Sequence, residues 1–192
     1  EKREEKHIYL AKMIDMKFFE SYKLDSPINY PGYKSINPFI TLDGETMYFS
    51  SNRPGGKGGM DLWKIELDET GNVVGEAINL GRPVNSELDE VSPFYHEPSS
   101  TFFFSSSGHN SIGGLDIFKC TYNKDNKGFG TPQNMGMPIN SSMDDSYIIW
   151  DALMENGYFA SDRAPCENGH CYDIYEITNE PIIITLEGIA YD

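Results

Sequence analysis

The sequence lacks a long apolar run and has few basic residues. Its most apolar stretch is PIIITL at 181–186, far short of the roughly 18 to 20 residues that cross a bilayer, so we expect no direct membrane insertion. The 15 Lys and Arg residues are outnumbered by 30 Asp and Glu, which gives a formal net charge of −15. Such an acidic chain excludes nucleic acid and anionic lipid as expected partners, because both require a basic surface.

Cysteine is also scarce, with three residues in the chain. Cys166 and Cys171 lie close together in CENGHC, and Cys120 stands alone. A close pair in a polar loop predicts a disulfide in an oxidising compartment. Free thiols are the first alternative. A zinc site made of Cys166, His170 and Cys171 is the second, although it supplies three of the four ligands that structural zinc takes.

Motifs of covalent catalysis are missing. The sequence contains no G-x-S-x-G nucleophile elbow and no S-x-D-x-G-x-x-W box of the sialidase type. None of the four histidines lies in a context typical of a Ser or Cys nucleophile, and we expect His96 and His109 to lie in loops. The sequence therefore predicts a protein that is not an enzyme and that needs no cofactor.

What the sequence does contain is a repeat. MDLWKIEL (60–67) returns as LDIFKCTY (115–122) and as YDIYEITN (172–179), which places Asp61, Asp116 and Asp173 at intervals of 55 and 57 residues. HIYLAKMI (7–14) fits the same frame with His7 in the aspartate position. A fixed period of this length indicates a repeat architecture.

Two further landmarks share this period. Pro38 and Pro93 are 55 residues apart, and Tyr147 takes the place of the proline in the third repeat. A Pro-Ile-Asn or Pro-Val-Asn cue precedes each repeat, in LDSPIN (24–29), LGRPVN (80–85) and MGMPIN (135–140).

Each repeat consists of short strand-like segments separated by turn residues. ETMYFSS and STFFFSS are rich in aromatic residues, and DLWKIEL alternates between two faces. About four strands per repeat predict an all-β fold, a β-propeller of four-stranded antiparallel blades or a fragment of one. We expect a partial first blade and then blades at about 36–80, 91–139 and 145–178, all within residues 1–180.

The motif that runs from Pro38 to Trp63 resembles the WD40-like, TolB-type propeller repeat found in OmpA-family envelope proteins of Bacteroidetes-type bacteria. The quoted motifs cover nearly the whole chain. The segment 181–192 resembles the start of a carboxypeptidase-regulatory-like β-sandwich, or it is a linker. The chain begins at Glu1 rather than Met, which we interpret as a processed or truncated protein.

The resemblance implies a non-catalytic protein-binding scaffold of the cell envelope, located in the periplasm and associated with the outer membrane. Its expected partners are other envelope proteins, including those of the type IX secretion system. Peptidoglycan would be bound only through a domain outside this chain. The alternative is a propeller that binds or hydrolyses glycans through its central channel.

The glycine-rich loop before Asp61 has two interpretations. It could bind phosphate, but a P-loop requires a helix after the loop, and a strand-like segment follows here. We expect instead that the four glycines at 55, 56, 58 and 59 permit positive φ in a hairpin. Gly58 and Gly59, and their counterparts Gly113 and Gly114, are accordingly predicted to be structural.

The repeated aspartates also have two interpretations. Asp61, Asp116 and Asp173 could form a ring of metal ligands. His7 interrupts that ring, however, and calcium needs more oxygen ligands per loop. We therefore predict that each aspartate accepts hydrogen bonds from the backbone of its own loop, and we predict no metal site.

Acidic clusters form a weaker candidate site. Cation or ligand contacts are assigned to five carboxylates in the segments before the second and third repeats, namely Glu87, Asp89, Glu90, Asp144 and Asp145. Solvated loop charges are the alternative. Tyr30, Tyr33 and Phe129 are candidate exposed aromatic contacts for a partner.

Overall fold

The computed structural model describes residues 5–123, 125, 128–164 and 171–179. Over these residues the chain forms strands, turns and loops without a helix, so the described part contains no helix that could cross a membrane. The prediction of an all-β fold is confirmed. The predicted segment 181–192 lies outside the described residues.

The strands form four antiparallel sheets. A two-stranded hairpin, here called the arm, contains β1 (Tyr9–Ile14) and β2 (Lys17–Lys23). Sheet 1 contains β3 (Ser35–Ile40), β4 (Thr46–Ser51), β5 (Asp61–Leu67) and β6 (Val73–Asn79). Sheet 2 contains β7 (Glu90–His96), β8 (Thr101–Ser106), β9 (Asp116–Asn123), β10 (Gly128–Phe129) and β11 (Gln133–Asn134). Sheet 3 contains β12 (Asp145–Trp150), β13 (Asn156–Ser161) and β14 (Asp173–Thr178).

The strands of each sheet follow one another in chain order. In sheet 1 the order is β3-β4-β5-β6, and in sheet 3 it is β12-β13-β14. Sheet 2 runs β7-β8-β9, and both short strands β10 and β11 pair with β9. Each repeat of the sequence therefore forms one sheet, in which consecutive strands pair as an antiparallel meander.

The first strand of every sheet carries a β-bulge. The pairing register shifts between Ile36 and Phe39 and at the equivalent places of β7 and β12. Asn37, Ser92 and Tyr147 lie in these bulges with φ of 52°, 53° and 56°. These equivalent positions correct the sequence alignment, because Tyr147 is the counterpart of Asn37 and Ser92, and Ile148 takes the place of the proline.

The hydrophobic core lies between successive sheets. Phe102, Phe103 and Phe104 on β8 are fully buried, and alternation sends them to opposite faces. Phe102 and Phe104 pack with residues of sheet 1, and Phe103 packs with residues of sheet 3. The central sheet is therefore covered on both sides.

The first strands bring the three sheets together. β7 contacts β3, β4 and β5 of sheet 1, and β12 contacts β7, β8 and β9 of sheet 2. The side chain of Asn37 also donates a hydrogen bond of 3.0 Å to the hydroxyl of Tyr147, so β3 and β12 meet as well. All three first strands therefore lie on the same side of the stack.

Candidate functional site

The glycine-rich loop before β5 folds around the carboxylate of Asp61. This side chain is buried and accepts hydrogen bonds from the backbone N–H groups of Lys57 and Gly58, the latter at 2.9 Å. The side-chain amide of Asn79 donates a third, at 2.7 Å. The carboxylate therefore closes the loop onto β6.

Asp116 holds its loop in the same way. It is buried and accepts hydrogen bonds from the backbone N–H groups of Ile112 and Gly113 and, at 2.7 Å, from the side chain of Asn134. Asp173 begins β14 and is exposed, and the residues directly before 171 lie outside the described part. Two of the three repeated aspartates thus have the same backbone partners.

The prediction that all four loop glycines adopt positive φ is wrong for three of them. Of the four glycines, Gly55 is the one with positive φ, at 92°. A Cβ atom on Gly58 would lie 2.0 Å from the carbonyl oxygen of Leu88, and one on Gly59 would lie 2.2 Å from Oδ1 of Asp89. Gly58 and Gly59 are therefore required for close approach to the linker that leads into sheet 2.

Gly113 and Gly114 meet the next linker in the same manner. A Cβ atom on Gly113 would lie 2.5 Å from the carbonyl oxygen of Ser141, and one on Gly114 would lie 2.0 Å from Oδ1 of Asp144. The glycine-rich loops are thus the places where one sheet touches the start of the next.

Two carboxylates of the acidic clusters complete this contact. Oδ1 of Asp89 accepts a hydrogen bond of 2.7 Å from the N–H of Met60, and Oδ1 of Asp144 accepts one of 2.8 Å from Leu115. Burial, together with the charge of Asp144, raises the pKa of Tyr172 to about 12. Asp89 and Asp144 therefore each accept a hydrogen bond from a backbone N–H group of the preceding loop. The described residues contain no group of three or more His, Cys, Asp or Glu arranged to hold a metal ion.

The asparagine of each Pro-Ile-Asn or Pro-Val-Asn cue ties its linker to the preceding sheet. The side chain of Asn85 accepts a hydrogen bond of 2.9 Å from the N–H of Leu62 and returns one of 3.0 Å to its carbonyl oxygen. Sequence reasoning used this cue only as a landmark and missed its role. The same pair of bonds occurs in the other two linkers, between Asn29 and Ile8 and between Asn140 and Ile117.

A basic side chain ties each linker to the following sheet. In sheet 3, Arg163 donates a hydrogen bond of 2.7 Å to the carbonyl oxygen of Pro138 and a second to that of Ile139. It also forms an ion pair of 2.6 Å with the buried Asp145. We call this arrangement the linker clamp.

Sheet 1 has the same clamp on the linker carbonyl groups, with Ser35 in place of the aspartate. Arg53 donates to the carbonyl oxygens of Pro27 and Ile28, and its guanidinium lies 4.8 Å from the ring centre of Phe49 and 5.2 Å from that of Trp63. Burial lowers the pKa of Arg53 to about 10. Arg53 and Arg163 went unnoticed in the sequence, although each lies two residues after the serine that ends its strand.

Sheet 2 departs from this pattern. Gly108 stands where the other two sheets have arginine, and the next residue, His109, takes over the clamp. Its Nε2 donates a hydrogen bond of 2.9 Å to the carbonyl oxygen of Val84. Its ring lies 5.9 Å from Phe104 and 5.3 Å from Phe118. A histidine thus makes one carbonyl contact where each arginine makes two.

The carboxylate beside this histidine is Glu90, the counterpart of Asp145. Glu90 is fully buried and accepts hydrogen bonds of 2.8 Å from the N–H of Ser86 and 2.7 Å from the hydroxyl of Ser106. Nε2 of His109 lies 4.0 Å away. Burial raises the pKa of Glu90, since these hydrogen bonds and the histidine only partly offset the loss of water.

An open pocket of about 730 Å³ lies beside this clamp, between the linker into sheet 2 and the loops of sheet 2. Arg82 and Glu87 face each other at 3.5 Å at its exposed edge. The lining thus combines charged, amide, imidazole and aromatic groups, contributed by Arg82, Glu87, His109, Asn110, Phe118 and Gln133.

The clamp of sheet 2 predicts a specific pH dependence. Because its folded pKa is raised, Glu90 contributes stability that is present below its ordinary pKa of 4.5 and is lost as pH rises through the folded value. We therefore expect Glu90→Gln to gain stability relative to the unmodified protein as pH rises from about 4 to about 7. Urea unfolding at several pH values measures this difference.

The control for this prediction is Glu76→Gln, because Glu76 is exposed on β6. Its difference from the unmodified protein should stay flat across the same pH range. If the difference in unfolding free energy between Glu90→Gln and the unmodified protein does not change with pH, the pKa of Glu90 is the same in the folded and unfolded states.

Several other predicted residues lie elsewhere than expected. His96 ends β7 and is buried, with Nε2 3.0 Å from the carbonyl oxygen of Asp151, so it is not a loop residue. Phe129 is half-buried and packs on Phe102 at 4.9 Å, and Tyr33 is half-buried. Of the three aromatic residues proposed as exposed contacts, Tyr30 is the exposed one.

The predicted disulfide between Cys166 and Cys171 has one of its two cysteines outside the described residues. Cys166 and His170 lie outside the described residues, and Cys171 is not a free thiol. Cys120 is free and buried on β9. The pairing of Cys166 with Cys171 stays a prediction.

Comparison with known proteins gives evidence of the fold. No family model matches the chain, and no curated protein matches it. Among solved structures, the crystal structure of alpha-L-arabinofuranosidase from Lactobacillus brevis is similar, with a TM-score of 0.51 and 11% sequence identity. The similarity covers 86% of this chain and 59% of that one, so the chain spans less than two thirds of its structural relative.

This comparison contradicts the expectation of a non-catalytic protein-binding scaffold of the cell envelope. A solved structure that resembles this chain is that of an enzyme, an alpha-L-arabinofuranosidase.

Proposed function

We propose that this chain is a carbohydrate-binding part of a β-propeller. The observation that carries the binding function is the mixed polar and aromatic pocket beside the histidine clamp of sheet 2. The propeller arrangement is supported by three successive meanders of the same strand order whose first strands adjoin. The likeness to a larger solved protein supports the same arrangement.

The pocket presents groups that suit sugar hydroxyls. The guanidinium of Arg82 donates, the carboxylate of Glu87 accepts, and the amide of Gln133 does both. The ring of His109, whose side chain is 20% exposed, offers a flat surface for the C–H face of a sugar ring. Because the pocket is open at the surface, it suits a sugar unit of a longer chain.

Binding is favoured over hydrolysis. Glycosidases use a pair of carboxyl groups on either side of the scissile bond. Within the described residues the pocket lining includes one carboxylate, that of Glu87, whereas Glu90 is buried beneath Ser86. The proposal therefore assigns recognition, and no reaction step, to this site.

The TolB-type repeat and the periplasm remain part of the proposal. The bonded state of Cys171 supports an oxidising compartment. The sequence motifs that resemble TolB-type repeats support the same location, and cell fractionation of a native host tests it.

The proposal predicts measurable binding of neutral oligosaccharides, including arabinose-containing ones. Replacing Gln133 or Arg82 by Ala should weaken binding at least about tenfold, because each removal leaves sugar hydroxyls unpaired. Isothermal titration calorimetry against a panel of oligosaccharides measures this effect. An assay with an aryl arabinofuranoside should show no release of the aryl group.

The matched control is Glu76→Ala, an exposed change on β6 outside the pocket lining. It should bind as the unmodified protein does. Equal losses in all three variants, or no binding to any oligosaccharide, would contradict the proposed function.

A further inference from the structure

A second pocket, of about 380 Å³, lies between sheet 2 and the turn that joins β12 to β13 in sheet 3. Its volume falls within the range of roughly 300 to 1,000 Å³ that small-ligand sites occupy. Five polar side chains line it, and Lys119 is the charged one among them. Within the described residues its lining includes no carboxylate, so the pocket differs in charge from the one beside His109.

Strand pairing brings the polar side chains of this pocket together. Thr101 on β8 lies directly opposite Thr121 on β9, and Lys119 on β9 lies opposite Gln133 on β11. Residues that are directly opposite each other lie on the same face of a sheet, as do residues two apart on one strand. Four side chains from one face of sheet 2 therefore line the pocket.

The remaining walls are fixed by the backbone and by the core. The N–H of Gly130 donates a hydrogen bond of 2.8 Å to the carbonyl oxygen of Thr121, which sets Thr131 beside that residue. On the opposite side, Met154 packs against the apolar cluster shared by sheets 2 and 3. The pocket is therefore formed by elements whose positions the fold determines.

The polar groups of this pocket are available to a ligand. Within the part of the chain that the structure describes, four of its side chains make no hydrogen bond and no ion pair with protein, namely those of Lys119, Thr121, Thr131 and Gln133. The ammonium offers three donors, each hydroxyl can donate or accept, and the amide does both. An anionic group can therefore bind the ammonium while the other groups bind hydroxyls of the same ligand.

Sheet 2 keeps a lysine of sheet 1 but has threonine in place of two glutamates near it. The counterparts, each 55 residues apart, are Lys64 and Lys119, Glu66 and Thr121, and Glu76 and Thr131. Carboxylates near a lysine offset its charge and repel an incoming anion, whereas hydroxyl groups do neither. The lining of sheet 2 therefore suits a ligand that supplies the negative charge itself.

We propose that this pocket binds an acidic sugar unit, one that carries a carboxylate as uronic acids do. The carboxylate binds the ammonium of Lys119, and the sugar hydroxyls pair with the threonine hydroxyls and the glutamine amide. The choice of a sugar rests on the proposed carbohydrate binding. Thr131 and Gln133 line this pocket and also the pocket beside His109. The two sites thus adjoin at residues 131–133, which favours an oligosaccharide with acidic and neutral units.

NMR titration of the isotope-labelled full chain with glucuronic acid tests this proposal, and glucose is the matched neutral probe. Glucuronic acid should shift the backbone amide signals around Lys119 and residues 131–133, and it should bind at least about tenfold more tightly than glucose. Lys119→Met removes the charge, keeps most of the apolar stem, and should weaken the binding of glucuronic acid about tenfold. The amide spectrum of the variant shows at the same time whether it is folded.

The matched control is Lys64→Met, because Lys64 is the equivalent lysine of sheet 1 and lines neither pocket. It should bind glucuronic acid as the unmodified protein does. Equal affinity for glucuronic acid and glucose, signal shifts confined to the pocket beside His109, or equal losses in the two lysine variants would overturn the proposal.

The proposed function is judged by a separate result. Lys119→Met should leave the binding of neutral oligosaccharides unchanged, whereas Arg82→Ala should weaken it. Neutral binding that depends on Arg82, without a preference for glucuronic acid, would reject the acidic site and retain the proposed function. If neither kind of sugar binds, both proposals are wrong.

Discussion

Replacing Asp116 by Ala is expected to lower the free energy of unfolding by about 2 to 4 kcal/mol. The carboxylate is fully buried and is the acceptor for the N–H groups of Ile112 and Gly113 and for the amide of Asn134. Alanine leaves these three donors without their partner and frees the loop from β11. Urea unfolding followed by tryptophan fluorescence measures the change.

The same motif supplies the control for this prediction. Asp173 is the equivalent aspartate of sheet 3 and is exposed, so Asp173→Ala should change the free energy of unfolding by no more than about 0.5 kcal/mol. Similar losses in the two variants would show that burial and the loop contacts are not what makes the aspartate stabilising.

Replacing Gly58 by Ala is expected to cost about 2 to 3 kcal/mol of unfolding free energy. The new methyl group would lie 2.0 Å from the carbonyl oxygen of Leu88, a backbone atom that cannot rotate away. The linker must move, which disturbs the hydrogen bond of 3.0 Å from the N–H of Gly59 to that oxygen. Because Glu87 and Leu88 line the pocket, carbohydrate binding should weaken as well.

Gly71→Ala separates crowding from backbone strain. Gly71 has φ of +81° and nothing within 4 Å of an added Cβ, so its replacement should cost about 1 kcal/mol through conformation alone. It should leave carbohydrate binding unchanged. A Gly58→Ala variant as stable as the Gly71→Ala variant would show that the linker adjusts freely to the extra methyl group.

The repeat and the strands could be predicted because their causes are local. Alternation in DLWKIEL separates Leu62 from Trp63 and Ile65, and the structure places them in different clusters on opposite faces. Three consecutive phenylalanines at 102–104 indicated a strand buried on both sides, and all three are fully buried. The two-residue alternation of side chains along a strand is sufficient to predict which face each residue occupies.

The contacts between repeats could not be predicted, because they depend on distances across the chain. A glycine needed for positive φ and a glycine needed for space look alike in a sequence, so Gly58 and Gly59 were misinterpreted. Tyr147 was aligned with the repeated proline, although Ile148 is the residue that lies 55 positions after Pro93. The clamp of sheet 2 was hidden as well, since its basic side chain is at His109 and not at position 108.

The function expected from the family resemblance was wrong in its main form. Resemblance of repeats indicates how a chain folds, and the same fold supports unrelated functions. The pocket beside His109 arises where sheet 2 departs from its neighbours. A sequence comparison among the three repeats, focused on their differences, would have drawn attention to Gly108 and His109.

The linker clamps have a consequence for how such a molecule can change in length. Each linker is fastened by an asparagine to the sheet before it and by an arginine or histidine to the sheet after it, so every unit contains the residues that attach the next one. Duplication or loss of a whole unit therefore leaves the remaining junctions intact. The histidine junction, which has one carbonyl contact fewer than the arginine junctions, is the place where such an array would separate first.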